Sequence, residues 1–317
     1  MKKNLVFLLL ILVTIFSFSG KIRIAQQFGL GYAPLLVVKH MNLIEKYAPG
    51  TEVEWMTLGS GAAINEALIA GKLDIGSMGV GPYLIGVDKG APWKMATPLV
   101  VQPLGLQTNN DNIKSLKDIK PTHRIALPSP GSIQHILLAM AAEKELGNAR
   151  ALDMNIVAMA HPDGANALIS GSGGITAHFT SPPYIFEELK SENIHQVVDA
   201  FDAAGEKFTF LVSVATEKFH NNNPELYSAF VNAINEAMYE INYNTDEVAE
   251  LLTQDFDLGK ETIKEYLTWE GTNFTSTPYG IERFISFMKK VGYLRNDLDK
   301  NEELYWENVL AIIGKQN

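Results

Sequence analysis

The chain contains no cysteine. Disulfides, thiolate metal sites, a cysteine nucleophile and a lipid-modified cysteine are excluded at once. Positive charge is scarce: 26 Lys and Arg stand against 36 Asp and Glu, a formal net charge of -10. Nucleic-acid binding, which wants a basic face, is therefore not expected. Only five arginines occur, Arg23, Arg124, Arg150, Arg283 and Arg295. Beyond the N-terminal segment there is no second long apolar stretch, so nothing further predicts a membrane span. The common catalytic signatures are missing too. There is no H-E-x-x-H and no nucleophile elbow G-x-S-x-G. Gly59-Ser60-Gly61-Ala62-Ala63-Ile64 is not G-x-G-x-x-G, and no Lys follows as in a phosphate-binding loop. The seven histidines show no metal-ligand spacing, so neither a metal nor a cofactor is expected.

What is present is an apolar content of 46% over 317 residues, enough for substantial cores and about two domains. Residues 1–19 read as a secretory signal. Lys2 and Lys3 precede the apolar run Leu5 to Phe16, broken only by Thr14, and Ser17-Phe18-Ser19 predicts cleavage before Gly20. An exported chain without disulfides suits a bacterial periplasm.

Strand and helix patterns alternate through the mature chain, the signature of parallel sheets with crossover helices. Lys21 to Ala25, Val53 to Leu58 and Leu73 to Gly76 predict strands. Leu35 to Lys46 and Ala62 to Ala70 predict helices. Arg124 to Leu127 and Asn155 to Met159 predict further strands, with helices from Ile133 to Leu146 and from His161 towards Gly171. Thr209 to Ala215 is a β-rich run. Helices then fill the remainder, and this tail is expected to pack on the first unit. An internal echo runs at an offset of 100: Ala67-Leu68-Ile69-Ala70-Gly71 against Ala167-Leu168-Ile169-Ser170-Gly171, Ile75 against Ile175, and Gly81-Pro82 against Ser181-Pro182. It predicts two similar α/β lobes facing one another.

Gly59-Ser60-Gly61 ends a predicted strand and opens a helix, and Gly131-Ser132 does the same further on. Such helix N-termini leave backbone N–H groups unpaired and attract negative ligand groups. The two are expected to form opposing jaws of a ligand clamp with no Lys or Arg in either loop. Gln27, Phe28 and Tyr32 follow the first strand and can wall a cleft. Met78 and Gly79 follow the strand at Gly76, at the carboxyl end where α/β sheets bind ligands. His135 lies one turn into its helix, and His178 and Ser181 end the matching strand of the second half. Tyr83 and Phe179 would make the cleft more aromatic if they face it.

These stretches resemble a known family. Gln26-Gln27-Phe28, Gly59-Ser60-Gly61, Glu66-Ala67-Leu68 to Gly71, Asp74-Ile75-Gly76-Ser77-Met78-Gly79, Pro128 to His135 and Pro278-Tyr279-Gly280-Ile281 look like the substrate-binding proteins of bacterial ABC importers. The type resembled is that for nitrate, sulfonates, taurine and thiamine precursors. The resemblance implies a two-lobe α/β fold, the type II periplasmic-binding-protein or Venus-flytrap arrangement. Its lobes are expected at 20–104 plus 209–317 and at 105–208, hinged near Gln102–Gln107 and Glu206–Phe210. It implies a monomer that captures a small solute and delivers it to an inner-membrane ABC permease. An aliphatic sulfonate is the first expectation, and an uncharged pyrimidine or aromatic solute, or a flytrap that signals to a receptor, is the alternative. A pyrimidine-synthase branch on the same fold relies on a cysteine-rich motif, so an enzyme is not expected. One departure stands out. Many relatives carry an acidic Asp-Ala where this chain has Gly174-Ile175-Thr176-Ala177-His178-Phe179, which sets His178 where a ligand-facing loop is expected to begin.

Overall fold

The computed structural model describes residues 20–298 and 300–315. The expected secretory segment, 1–19, lies outside the described residues. Ten strands run in chain order: Lys21–Gln26 (β1), Glu52–Thr57 (β2), Ile75–Gly79 (β3), Trp93–Val100 (β4), Gly105–Thr108 (β5), Ile125–Leu127 (β6), Ile156–Ala158 (β7), Ala177–Thr180 (β8), His195–Asp199 (β9) and Leu211–Thr216 (β10). They make two five-stranded sheets, ordered β2-β1-β3-β10-β4 and β7-β6-β8-β5-β9. The two orders are the same pattern. In each, four strands share one direction and the fifth, second from an edge, lies antiparallel to both neighbours. The antiparallel strand is exchanged between the halves: β10 returns to the first sheet after the second is complete, and β5 leaves the first region to enter the second sheet. The chain therefore crosses between sheets at 101–104 and 205–210.

The first sheet carries the helices Ala33–His40 (α1), Leu43–Tyr47 (α2), Gly61–Ile69 (α3) and Val80–Asp88 (α4). The second carries Ile133–Leu146 (α5), His161–Ser170 (α6), Tyr184–Leu189 (α7) and Ala200–Ala204 (α8). Covered on both faces, the central strands are continuously apolar or small, as β3 and β10 are along their whole length. The tail comprises Glu217–Asn222 (α9), Pro224–Tyr243 (α10), Thr245–Leu252 (α11), Lys260–Leu267 (α12), Ile281–Lys290 (α13), Asn301–Leu304 (α14) and Glu307–Ile313 (α15).

Three local expectations shift. The helix expected over Leu35–Lys46 is two helices, because Asn42 takes a left-handed conformation, φ 50, between them. The strand expected to end at Gly76 continues to Gly79, since β3 is central and pairs with β10 as far as Gly79. The tail packs on the first unit, α10 and α11 against α1, but it also reaches the second. Tyr266 Oη donates to Glu187 at 2.7 Å, Phe186 stacks between Tyr266 and Trp269, and Lys290 pairs with Glu143 at 2.6 Å.

Candidate functional site

Both mixed sheets place the carboxyl ends of their parallel strands towards the same space, and the helices that follow begin there. Ser60 caps α3, its hydroxyl accepting from Ala63 N–H at 3.2 Å, and Ser132 caps α5, accepting from His135 N–H at 3.3 Å. Gly79 precedes α4 in extended conformation, and Ala160 precedes α6. A cavity between the units is lined by the first residues of all four helices: Gly61, Gly79 with Pro82, Ser132 with Ile133 and Gln134, and His161. Gln27, Phe28, Tyr32, Phe210 and Leu211 complete the wall. Each N-terminus contributes about +0.5 of an elementary charge; in α4 Val80 N–H is already donated to Phe210 O, and Pro82 and Pro162 carry no N–H, so the orphan donors are fewest at α4 and α6. Among the described residues, no Lys, Arg, Asp or Glu lines this cavity.

The pairing across the cleft differs from the expected one. The α3 terminus does not oppose the α5 terminus. A Cβ on Gly59 would lie 3.6 Å from Ala160 Cβ, so α3 faces α6. A Cβ on Gly81 would lie 3.1 Å from Gly131 O and 3.2 Å from Ile133 N, so α4 faces α5. The units also join through Leu30 N–H, which donates to Pro182 O at 2.9 Å. So closed, the cavity holds about 10 Å³, roughly the space of one water.

Of the thirteen expected site residues, Gln27, Phe28, Tyr32, Gly61, Gly79 and Ser132 line the cavity. Gln27 Nε2 donates to Tyr32 Oη at 2.8 Å, and burial pushes that phenol's pKa far up. Phe28 remains 40% exposed at the mouth. Gly59 and Ser60 stand at the rim, holding the α3 terminus. Met78 is wholly buried within β3 and does not line the cavity, because the strand runs on past it. Gly131 takes φ +79, which only glycine adopts without strain, and lines a separate outward cavity of about 420 Å³ between α3, α4 and its own turn. That cavity is larger but walled mainly by hydrocarbon, away from the strand ends. His135 turns its ring back: Gly131 N–H donates to Nδ1 at 2.9 Å, and Nε2 meets Asp153 Oδ1 at 3.1 Å. Burial depresses its pKa despite that carboxylate. Ser181 is buried beside Pro182, and His178 is buried in β8 behind the wall. Tyr83 and Phe179 do not face the cavity: the Tyr83 hydroxyl donates to Leu304 O, and Phe179 is wholly buried in β8.

Sequence reading passed over Gln134 and His161. Gln134 adjoins the chosen His135, but neighbours on a helix point about 100° apart. His161 was within reach of the 100-residue echo, since it is the counterpart of Gly61, and both open a helix at the cavity.

A family profile described as the NMT1-like family matches residues 19–253. The chain is 25% identical over 257 residues to the "Putative aliphatic sulfonates-binding protein" of Bacillus subtilis (strain 168), covering 78% of this chain and 73% of that protein. Among solved structures it resembles the alkanesulfonate-binding protein from Xanthomonas axonopodis pv. citri bound to MOPS: TM-score 0.74, 18% identity, 90% of this chain and 98% of that one. It also resembles the periplasmic nitrate-binding protein from Synechocystis PCC 6803: TM-score 0.76, 15% identity, 93% of this chain and 88% of that one. The fold is thus the two-lobe α/β fold of periplasmic binding proteins, as expected from sequence. No helix among the described residues is long and apolar enough to cross a membrane.

Proposed function

This chain belongs to the NMT1-like family, and from that premise we propose that it is the solute-binding component of an ABC importer whose solute is an aliphatic sulfonate. It is exported by residues 1–19 to the periplasm, acts as a monomer, carries out no chemistry on its solute, and hands it to an inner-membrane permease. The lobes divide as 20–104 plus 209–317 and 105–208. The observation that carries the reading is the convergence of four helix N-termini on a cavity without a charged side chain. Hydrogen bonds to a charged ligand contribute about 1.5–3 kcal/mol each. A micromolar dissociation constant needs about 8 kcal/mol net. Four or five N–H donors supply that after the costs of immobilisation. A weakly hydrated monoanion suits such a site; a dianion would ask for fixed counter-charge.

The present cavity is too small for a sulfonate head group of four heavy atoms. Loading therefore requires the lobes to part, and capture is their re-closure, a population shift driven by contacts that need both lobes. Titration calorimetry with methanesulfonate, taurine, nitrate and an uncharged pyrimidine tests this. Sulfonates are expected to bind most tightly. Tight binding of nitrate alone would move the solute to an anion without an alkyl tail, and binding of the pyrimidine alone would overturn the anion reading.

A further inference from the structure

Behind the cavity wall runs a line of buried polar groups that the clamp described above does not use. Gln134 Nε2 lies 3.0 Å from His161 Nε2. His161 Nδ1 lies 3.1 Å from His178 Nε2 and 3.2 Å from Thr180 Oγ1, whose hydroxyl can donate to the same nitrogen, and His178 Nδ1 lies 2.5 Å from Glu188 Oε1. His178 and Glu188 are wholly buried, and Gln134 and His161 are 3% and 6% exposed, on the cavity side. The packing is built around the rings: a Cβ on Gly164 would sit 2.7 Å from His178 Nε2, and Tyr184 stacks on His161 with ring centres 5.8 Å apart.

Each link carries one proton, so the sense of the whole chain is fixed at its buried end. Glu188 Oε2 is buried and has no hydrogen-bond partner among the described residues. An ionised carboxyl would leave half a negative charge bare in a dry interior, whereas a neutral acid with its proton on Oε1 leaves only an unused carbonyl lone pair. Burial favours the same neutral pair, pushing the carboxyl up to about 9 and His178 down to about 3. Glu188 O–H then donates to His178 Nδ1. His178 must carry its proton on Nε2 and donate to His161 Nδ1, and His161 must carry its own on Nε2 and donate to the amide oxygen of Gln134. That sense requires the Gln134 amide to be exchanged end for end from the orientation with Nε2 on the ring, an exchange of O and N that keeps the geometry. Its NH2 is left for the cavity. An ionised Glu188 would reverse every link and present the Gln134 carbonyl instead.

We propose that Gln134 is a solute-recognition residue that presents its NH2 to an acceptor oxygen, and that His161 with the buried His178–Glu188 pair is a positioning device that fixes this sense. This rests on the reading that the cavity is the solute site. It adds the class of solute group received there: an oxygen of an anionic head, not an N–H of an amine or heterocycle.

Ring-nitrogen NMR on the full mature chain, labelled with ¹⁵N-histidine and without solute, tests the chain directly. Both His161 and His178 are expected neutral with the proton on Nε2; protons on Nδ1 would overturn the proposal. Calorimetry with methanesulfonate supplies the functional arm. E188Q keeps an N–H donor towards His178 and is expected to bind like the parent. E188M removes that donor and is expected to weaken binding about tenfold or more, the loss of one hydrogen bond to a charged ligand. Equal loss in both variants, with each folded, would overturn the positioning role. If no sulfonate binds the parent, the proposed function fails on its own, while the ring tautomers still decide the hydrogen-bond sense.

Discussion

Glu188 should make the stability of the whole chain fall as pH rises, and E188Q should abolish that fall. In the unfolded chain the carboxyl titrates near its ordinary 4.5, and in the fold burial holds its proton to about 9. Between these values the native state holds one proton more than the unfolded state, so each pH unit removes about 1.4 kcal/mol of stability. By pH 7.5, three units above the unfolded value, the loss reaches about 4 kcal/mol. The titratable groups facing the carboxyl are His178, His161 beyond it, and Tyr184 one turn earlier on α7. Burial pushes both imidazoles down and the phenol up to about 12, so all three are uncharged at that pH. They are also common to parent and variant and cancel in the difference. The amide of E188Q donates to His178 without titrating, but its second N–H is buried unpaired, at a cost of about 1–3 kcal/mol at every pH. The variant is therefore expected to be less stable than the parent by about 1–3 kcal/mol at pH 4.5, and more stable by about 1–3 kcal/mol at pH 7.5. Urea denaturation midpoints from pH 4.5 to 8.5 give both curves. If E188Q is the less stable protein throughout, with a deficit that does not shrink as pH rises, then Glu188 is ionised against a charged His178 and the neutral-acid argument is wrong.

A Cβ on Gly81 would press on Gly131 O and Ile133 N across the cleft, so G81V should hold the lobes apart; calorimetry should show at least about tenfold weaker solute binding, and scattering should show no solute-induced contraction. S132A removes the hydroxyl that accepts from His135 N–H, and thermal unfolding should show about 1 kcal/mol of lost stability. Because helix termini inside a closed cavity replace cationic side chains, sulfonate affinity should change less than about threefold between 0.05 and 0.5 M of a non-competing salt; a steep decline would reveal a lysine or arginine at the solute.

The fold was legible because its two halves repeat one pattern. Strand, glycine turn and helix at Gly59-Ser60-Gly61 recur at Gly131-Ser132, and the 100-residue echo marks α3 with β3 and α6 with β8 as equivalent pieces of equivalent sheets. The exchange of β5 and β10 left no such mark, since an antiparallel strand entering from the other half has no crossover helix to announce it. The site was half legible for the same reason. Helix starts are written in Gly and Ser, so Gly61, Gly79 and Ser132 could be placed at the cavity. Facing is decided by helix phase and sheet twist, which put His161 rather than His178 at the wall, and Gln134 rather than His135.

That phase error bears on chemistry. Read as wall residues, His135 and His178 would bring titratable rings to the solute, and capture would track the charge state of imidazole near neutral pH. Placed as they are, His135 holds the Gly131 turn, and His178 stands one ring behind the wall with its charge suppressed by burial. Under the proposed function, the solute would meet backbone dipoles, hydroxyls, an amide and a neutral ring. Such donors need no partner charge to be stripped of water when the lobes shut, so closing on a monoanion avoids the desolvation cost that a buried lysine or arginine would add. The same neutrality limits what is held: a second negative charge on the solute would find no compensation. Under the proposed function, selection of one charge over two would follow from the composition of the wall.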